Sequence, residues 1–127
     1  MISAVVPAQP TAARVDIAPL GLSSQTSADG DEVVSVTGEL DIATAQQAYT
    51  YLSGVLDHGR APVSVDLGGV TFCDASGLGA LARVANHARE NGRQLKLTSA
   101  RPSLLKIMQI TGLDAAFPEL RTTALAR

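Results

Sequence analysis

Between residues 73 and 79 the chain reads Cys-Asp-Ala-Ser-Gly-Leu-Gly, which sets the single hydroxyl of Ser76 between the carboxylate of Asp74 and the glycines Gly77 and Gly79. Four kinds of chemistry use a serine in such company. A hydrolytic nucleophile asks for G-x-S-x-G and a nearby base, but the motif here is D-A-S-G-L-G and the chain holds only two histidines, His58 and His87. His58 falls at a helix end and His87 on an expected solvent face, so neither is placed to activate the serine. A phosphate-binding loop needs Gly-Lys-Ser/Thr, and the fragment Gly77-Leu78-Gly79 is too short for a dinucleotide fingerprint. Capping is the third use: with Asp74 as N-cap, Ala75, Ser76 and Gly77 fall in a first helical turn whose amides lack intrahelical acceptors. The fourth is a docking surface switched by modification, because a phosphoryl group on Ser76 would add about −1.5 to −2 charge at the positive end of a helix dipole. Capping with internal packing and switched docking both remain open on the residues alone.

The elements that hold this segment follow from hydrophobic periodicity. Residues 14–20 (RVDIAPL) and 32–38 (EVVSVTG) alternate as strands with one buried face, and the turn-rich SSQTSADGD between them is read as their connection. From Asp41, an expected N-cap, the positions Ala45, Ala48, Tyr49, Leu52, Val55 and Leu56 form one helical stripe, closed by Gly59 and Pro62. Residues 62–67 read as a strand. The helix after Asp74 carries a stripe at Leu78, Leu81, Ala82 and Ala85 and stops at Gly92, and residues 93–98 form another strand. A short helix follows from Pro102, with apolar residues at Leu104, Leu105, Ile107 and Met108 and Gly112 as terminator. Residues 113–120 suggest a brief edge segment and 119–126 a last helix. Strands separated by helices after an opening strand pair argue an α/β fold with a mixed sheet.

The bulk composition narrows the function classes. The chain has 127 residues, enough for one core, and its net charge of −2 offers no basic footprint for nucleic acid or an anionic membrane. No apolar run approaches the ~20 residues that span a bilayer, and the first ten residues lack the pattern of a secretory signal, so the expected location is cytoplasmic. Residues 1–12, rich in Ala and Pro, are read as a flexible tail. The carboxylates are scattered and the histidines unpaired in spacing, so no metal is assigned and no cofactor is expected. Cys73 is the only cysteine. It is expected to be a buried thiol, with a redox role only if it is exposed and its pKa lowered.

Three segments taken together, VTGELDIATA (36–45), DASGLGAL (74–81) and LLKIMQITGLDAAFP (104–118), resemble the STAS domain of bacterial anti-sigma factor antagonists in order and approximate spacing. The resemblance covers roughly Glu32 to Pro118. It implies a single STAS-like domain over 13–127, a mixed four- to five-stranded sheet with helices packed mainly on one face, and binding rather than catalysis. In that family the unmodified protein binds an anti-sigma factor that is also a serine kinase, frees a sigma factor, and is released on phosphorylation, while a serine phosphatase resets it. By motif position the resemblance makes Ser76 the phosphorylation site and Asp74 the adjacent acid. It places Ala75, Gly77, Leu78 and Gly79 on the docking surface, with Gly38, Glu39, Asp41 and Thr44 in a neighbouring loop that shares it. The family commonly has Asp-Ser-Ser-Gly, and here Ala75 replaces the first serine, which removes an alternative acceptor. The same architecture also serves as an interaction subunit of larger assemblies, such as lipid-transport complexes or stress-sensing scaffolds.

Overall fold

The computed structural model describes residues 20–117. Four strands and three helices alternate as β1 (Gly21–Thr26), β2 (Glu32–Leu40), α1 (Ala45–Asp57), β3 (Val63–Cys73), α2 (Ala75–Glu90), β4 (Leu95–Ala100) and α3 (Pro102–Thr111), with a 3-10 turn at Leu113–Ala116. The sheet runs in the order β1-β2-β3-β4. β1 is antiparallel to β2, while β2, β3 and β4 are mutually parallel. The sheet is therefore mixed, as the sequence implied.

Each parallel neighbour is reached through one helix, and crossovers of one hand between strands laid side by side put α1 and α2 on the same face. That face is legible in the register: Ser24 lies opposite Val34, Val34 opposite Val65, and Val65 opposite Leu97. The Tyr51 hydroxyl of α1 reaches Ser24 Oγ at 3.1 Å, which places α1 over this row. Val34, Val65 and Leu97 are sealed there with Leu40, Leu52, Leu56, Val63, Leu67 and Val84. Burying each such side chain stabilises the fold by about 1.5–3 kcal/mol against leaving it in water.

Several local expectations hold. Gly59, Gly92 and Gly112, read as helix terminators, all have positive φ (73°, 65° and 82°). Pro102 opens α3, which buries Leu104 and Met108. Others are corrected. β1 occupies GLSSQT, whose last four residues belong to the stretch read as a connection, and the true connection is residues 27–31, closed by Ser27 N–H to Asp31 O at 2.8 Å. As an edge strand β1 is held by backbone pairing to β2 and needs no apolar alternation. Residues 14–19, where a strand was expected, lie outside the described residues, as does the expected helix at 119–126. The 113–116 segment is a 3-10 turn, not an edge strand. β3 is longer than 62–67, running on to Cys73.

The α2 stripe is also rotated from its expected position. Its buried residues are Gly77, Ala80, Leu81, Val84 and Ala88, while Leu78, Ala82 and Ala85 are half-buried. The helix turns its smallest residues to the sheet because close approach at Gly77, rather than the density of leucines, sets the contact face. In α1 the buried set is Ala48, Leu52, Ser53 and Leu56. The Ser53 hydroxyl is satisfied by donating to Tyr49 O at 2.6 Å.

Candidate functional site

β2 and β3 end side by side, with Glu39 opposite Phe72 and Leu40 opposite Cys73, so the loops that follow them share one end of the parallel sheet. Crevices at the carboxyl ends of parallel strands are where open α/β sheets bind their ligands. Asp74 is extended (φ −107°, ψ −169°) and caps α2 as expected, its Oδ1 accepting from Gly77 N–H at 3.1 Å. Its own N–H donates to Leu40 O at 3.1 Å, which ties the start of α2 to the end of β2. The amides of Ala75 and Ser76 find no acceptor among the described residues, so the helix mouth presents two free donors and the positive end of its dipole.

Ser76 sits in that mouth, half-buried, beside an exposed Ala75. Its hydroxyl makes no hydrogen bond among the described residues, yet it is not sealed: the one buried side-chain nitrogen or oxygen there without a partner is Arg93 Nε. The oxygen is thus not sealed in the interior. No histidine attends it. His87 lies eleven residues along α2, on the order of 16 Å away at 1.5 Å per residue. Its Nε2 is engaged at 2.7 Å by Asp57 Oδ1, and its ring meets Tyr49 edge-on at 6.3 Å. His87 is therefore part of an α1–α2 contact, half-buried, where a solvent face was expected. His58 is exposed at the end of α1, its Nδ1 2.6 Å from Gly54 O.

The two glycines of the motif separate in role. A Cβ on Gly77 would lie 2.6 Å from Leu40 O, 2.7 Å from Leu40 Cβ and 2.8 Å from Cys73 Sγ, so this position is needed for α2 to seat on the sheet. A Cβ on Gly79 would meet nothing within 4 Å, and Gly79 is exposed. Internal packing accounts for Gly77 and leaves Gly79 free for an outside contact. Leu78 is half-buried against the core.

Gly38 and Glu39, read as loop residues, lie among the last residues of β2, where the register with β3 slips between Gly38 and Glu39. Gly38 has φ 101°, a conformation that a side chain would strain, and it lets the strand carry this irregularity. Beyond it the chain makes a braced turn. The Thr44 hydroxyl donates to Glu39 O at 2.7 Å and accepts from Asp41 N–H at 3.0 Å. Asp41 Oδ1 accepts from Ala43 N–H at 2.9 Å and Thr44 N–H at 3.2 Å. The N-cap of α1 is therefore Thr44 rather than Asp41. Because the threonine hydroxyl is drawn back to Glu39, it makes no cap bond, and the Asp41 carboxylate does that work one turn earlier.

Cys73 is buried, and its thiol is pushed up to about 11, first by burial and then by the Asp74 carboxylate. The exposure and lowered pKa that oxidation chemistry needs are both lacking. Among the described residues no three His, Cys, Asp or Glu side chains converge to hold a metal, and no helix is long and apolar enough to cross a membrane. Two apolar residues went unremarked in the sequence: Ile42, at the apex of the braced turn, is 82% exposed, and Phe72 is 50% exposed. Their only sequence signal is an apolar side chain outside any stripe.

Comparison with known proteins agrees with this architecture. Residues 23–122 match the family model described as Mlab, STAS domain, and the chain belongs to the STAS domain family. Among solved structures it is similar to an anti-sigma factor antagonist from Mycobacterium paratuberculosis, with 30% identity and a TM-score of 0.68 over 82% of this chain and 88% of that one. It is 27% identical to the anti-sigma-B factor antagonist of Staphylococcus aureus over 69% of this chain and 82% of the relative. The Bacillus cell fate determinant SpoIIAA in its phosphorylated form shares the fold, with a TM-score of 0.61 at 19% identity over 81% of this chain and 91% of that one.

Proposed function

We propose that this chain is an anti-sigma factor antagonist that binds an anti-sigma factor of the serine-kinase class, so releasing a sigma factor, and that phosphorylation of Ser76 ends the complex. The observation that carries the reading is an unpartnered hydroxyl, half-buried but not sealed, at a helix mouth with two free amides, beside a braced turn and without any base to make it a nucleophile. The names of its relatives support the partner class.

The physics of the switch is local. A phosphoryl group on Ser76 gains from the helix dipole and the free amides, while the neighbouring Asp74 carboxylate opposes it. The modified chain therefore stays folded. A partner surface shaped for a neutral hydroxyl, however, meets a bulky dianion and is expelled. A serine phosphatase then restores the binding form. Because Ser76 is half-buried and Ala75 exposed, the kinase must reach past a methyl group to find its acceptor.

Incubating the chain with a purified anti-sigma kinase of its own genome and ATP, read by intact mass, tests the acceptor. A single added phosphoryl group that disappears in Ser76→Ala is expected. Labelling of both proteins alike, or of neither by an active kinase, contradicts the assignment. In a titration, Ser76→Glu should weaken kinase binding while leaving the melting temperature nearly unchanged.

A further inference from the structure

We propose that Ile42 is the apolar anchor by which this surface engages its partner, and that the partner offers an apolar pocket rimmed by Lys or Arg side chains. The inference rests on the docking reading and names what that reading leaves open, the residue that sets pairing.

Ile42 is the most exposed large apolar side chain among the described residues, at 82% against 74% for Ile110 and 50% for Phe72. It does not hang on a loose loop. Hydrogen bonds from Thr44 to Glu39 and between Asp41, Ala43 and Thr44 close the turn on both sides of it. A side chain held out in one place loses little freedom on binding, which is what makes a rigid apolar residue an effective anchor. The turn's polar atoms are spent inward, so its outward offering is the isoleucine.

The anchor belongs to the same surface as the acceptor. Leu40 O receives Asp74 N–H, and Leu40 lies directly against Gly77. Ile42 is two residues beyond Leu40, and Ser76 is one before Gly77. A short span of chain, on the order of 7 Å for two extended residues, thus separates the anchor from the mouth of α2.

Charge specifies the pocket's rim. Glu39, Asp41 and Asp74 lie at this end of the sheet, while the sequence has no Lys or Arg from Val15 to Gly59 or from Ala61 to Ala82. Arg101, at the end of β4, is turned onto Gly68 O at 2.9 Å. An acidic end that holds out an isoleucine complements an apolar pocket with a basic edge, and such rims govern association rate and choice of partner. A second copy of this chain, carrying the same carboxylates, would meet like charge.

The test is a titration of the purified anti-sigma kinase against wild type, Ile42→Lys, Ile42→Val and Ser76→Glu, with circular dichroism to confirm folding. Ile42→Lys should weaken binding roughly 100-fold, as loss of a central anchor does, and Ile42→Val should stay within about threefold. Raising the salt concentration should slow association of the wild type. If Ile42→Lys binds like wild type while Ser76→Glu does not, the anchor is wrong and the docking surface stands. If neither variant weakens binding, the docking reading fails with it. Self-association of wild type that Ile42→Lys abolishes, seen by sedimentation, would overturn the partner named here.

Discussion

The two ends of the helix layer are built on opposite plans. At the far end, the exposed residues where α1 and α2 themselves finish are polar or glycine (Asp57, His58, Gly59, Arg60, Asn91 and Gly92), the exposed Ile110 belonging to α3. The one charge drawn inward there, Arg93, donates its guanidinium hydrogens to Leu56 O, which α1 leaves free at its C-terminus, and to Ala61 O in the loop that follows. At the near end the polar groups of Asp41, Thr44 and Asp74 are turned in to brace backbone, while Ile42 and Phe72 face water. A surface that spends its hydrogen bonds on its own shape and shows apolar side chains to solvent fits the docking role proposed for it. The far end is finished as ordinary solvent-facing structure.

Substitutions can break this contrast, and the largest effect belongs to Gly77. Gly77→Ala forces a methyl group against Leu40 O and Cys73 Sγ and should cost roughly 3 kcal/mol by overpacking, read by chemical denaturation. Gly79→Ala, with open space around it, should instead stabilise by up to about 1 kcal/mol while weakening partner binding.

At the far end, Arg93→Ala should cost about 2 kcal/mol by leaving two carbonyls without their donor, yet leave the affinity for the anti-sigma kinase as it was. Reduced affinity in that variant would erase the distinction between the two ends. Thr44→Val removes the hydroxyl that joins Glu39 O to Asp41 N–H. About 1 kcal/mol of stability should go with it, together with a several-fold loss in affinity as the Ile42 turn loosens.

Cys73 supplies a pH signature. Its folded thiol holds its proton up to about 11, whereas an unfolded thiol ionises near ~8.5. The folded state binds this proton more tightly, so the contribution is fully present below the unfolded value and is lost as pH rises through the folded one. Unfolding free energies at about pH 8 and pH 10.5 should therefore fall less steeply in Cys73→Ala than in wild type. The smallest effect on stability, below about 0.5 kcal/mol, is expected for Ala75→Ser. That variant places a hydroxyl at the exposed position of the helix mouth and should be phosphorylated faster than wild type, by mass spectrometry.

What could be read from the chain beforehand divides along physical lines. The Asp74 cap, the glycine terminators and the Pro102 helix start depend on groups within a few residues of one another, and they were legible. β1 was not, because an edge strand such as GLSSQT is held by the backbone of β2 and carries no apolar alternation. The contact face of α2 is not legible either, because it is chosen by how closely Gly77 approaches Leu40, a tertiary distance without a sequence period. Thr44 and Asp41 are both good capping residues, and only the long reach of the threonine to Glu39 O decides between them. The order of the three motifs was enough to indicate the family, but the exposure of Ile42 is a property of the folded turn alone.

The central claim is that the partner lands on the end where polar groups turn inward. Hydrogen exchange of the chain, alone and bound to the anti-sigma kinase proposed as its partner, tests this most directly. The account predicts new protection over residues 39–44 and 72–79, with residues 56–61 and 91–93 unchanged. Protection confined to the Arg93 end, with the mouth of α2 exchanging as in the free chain, would contradict it.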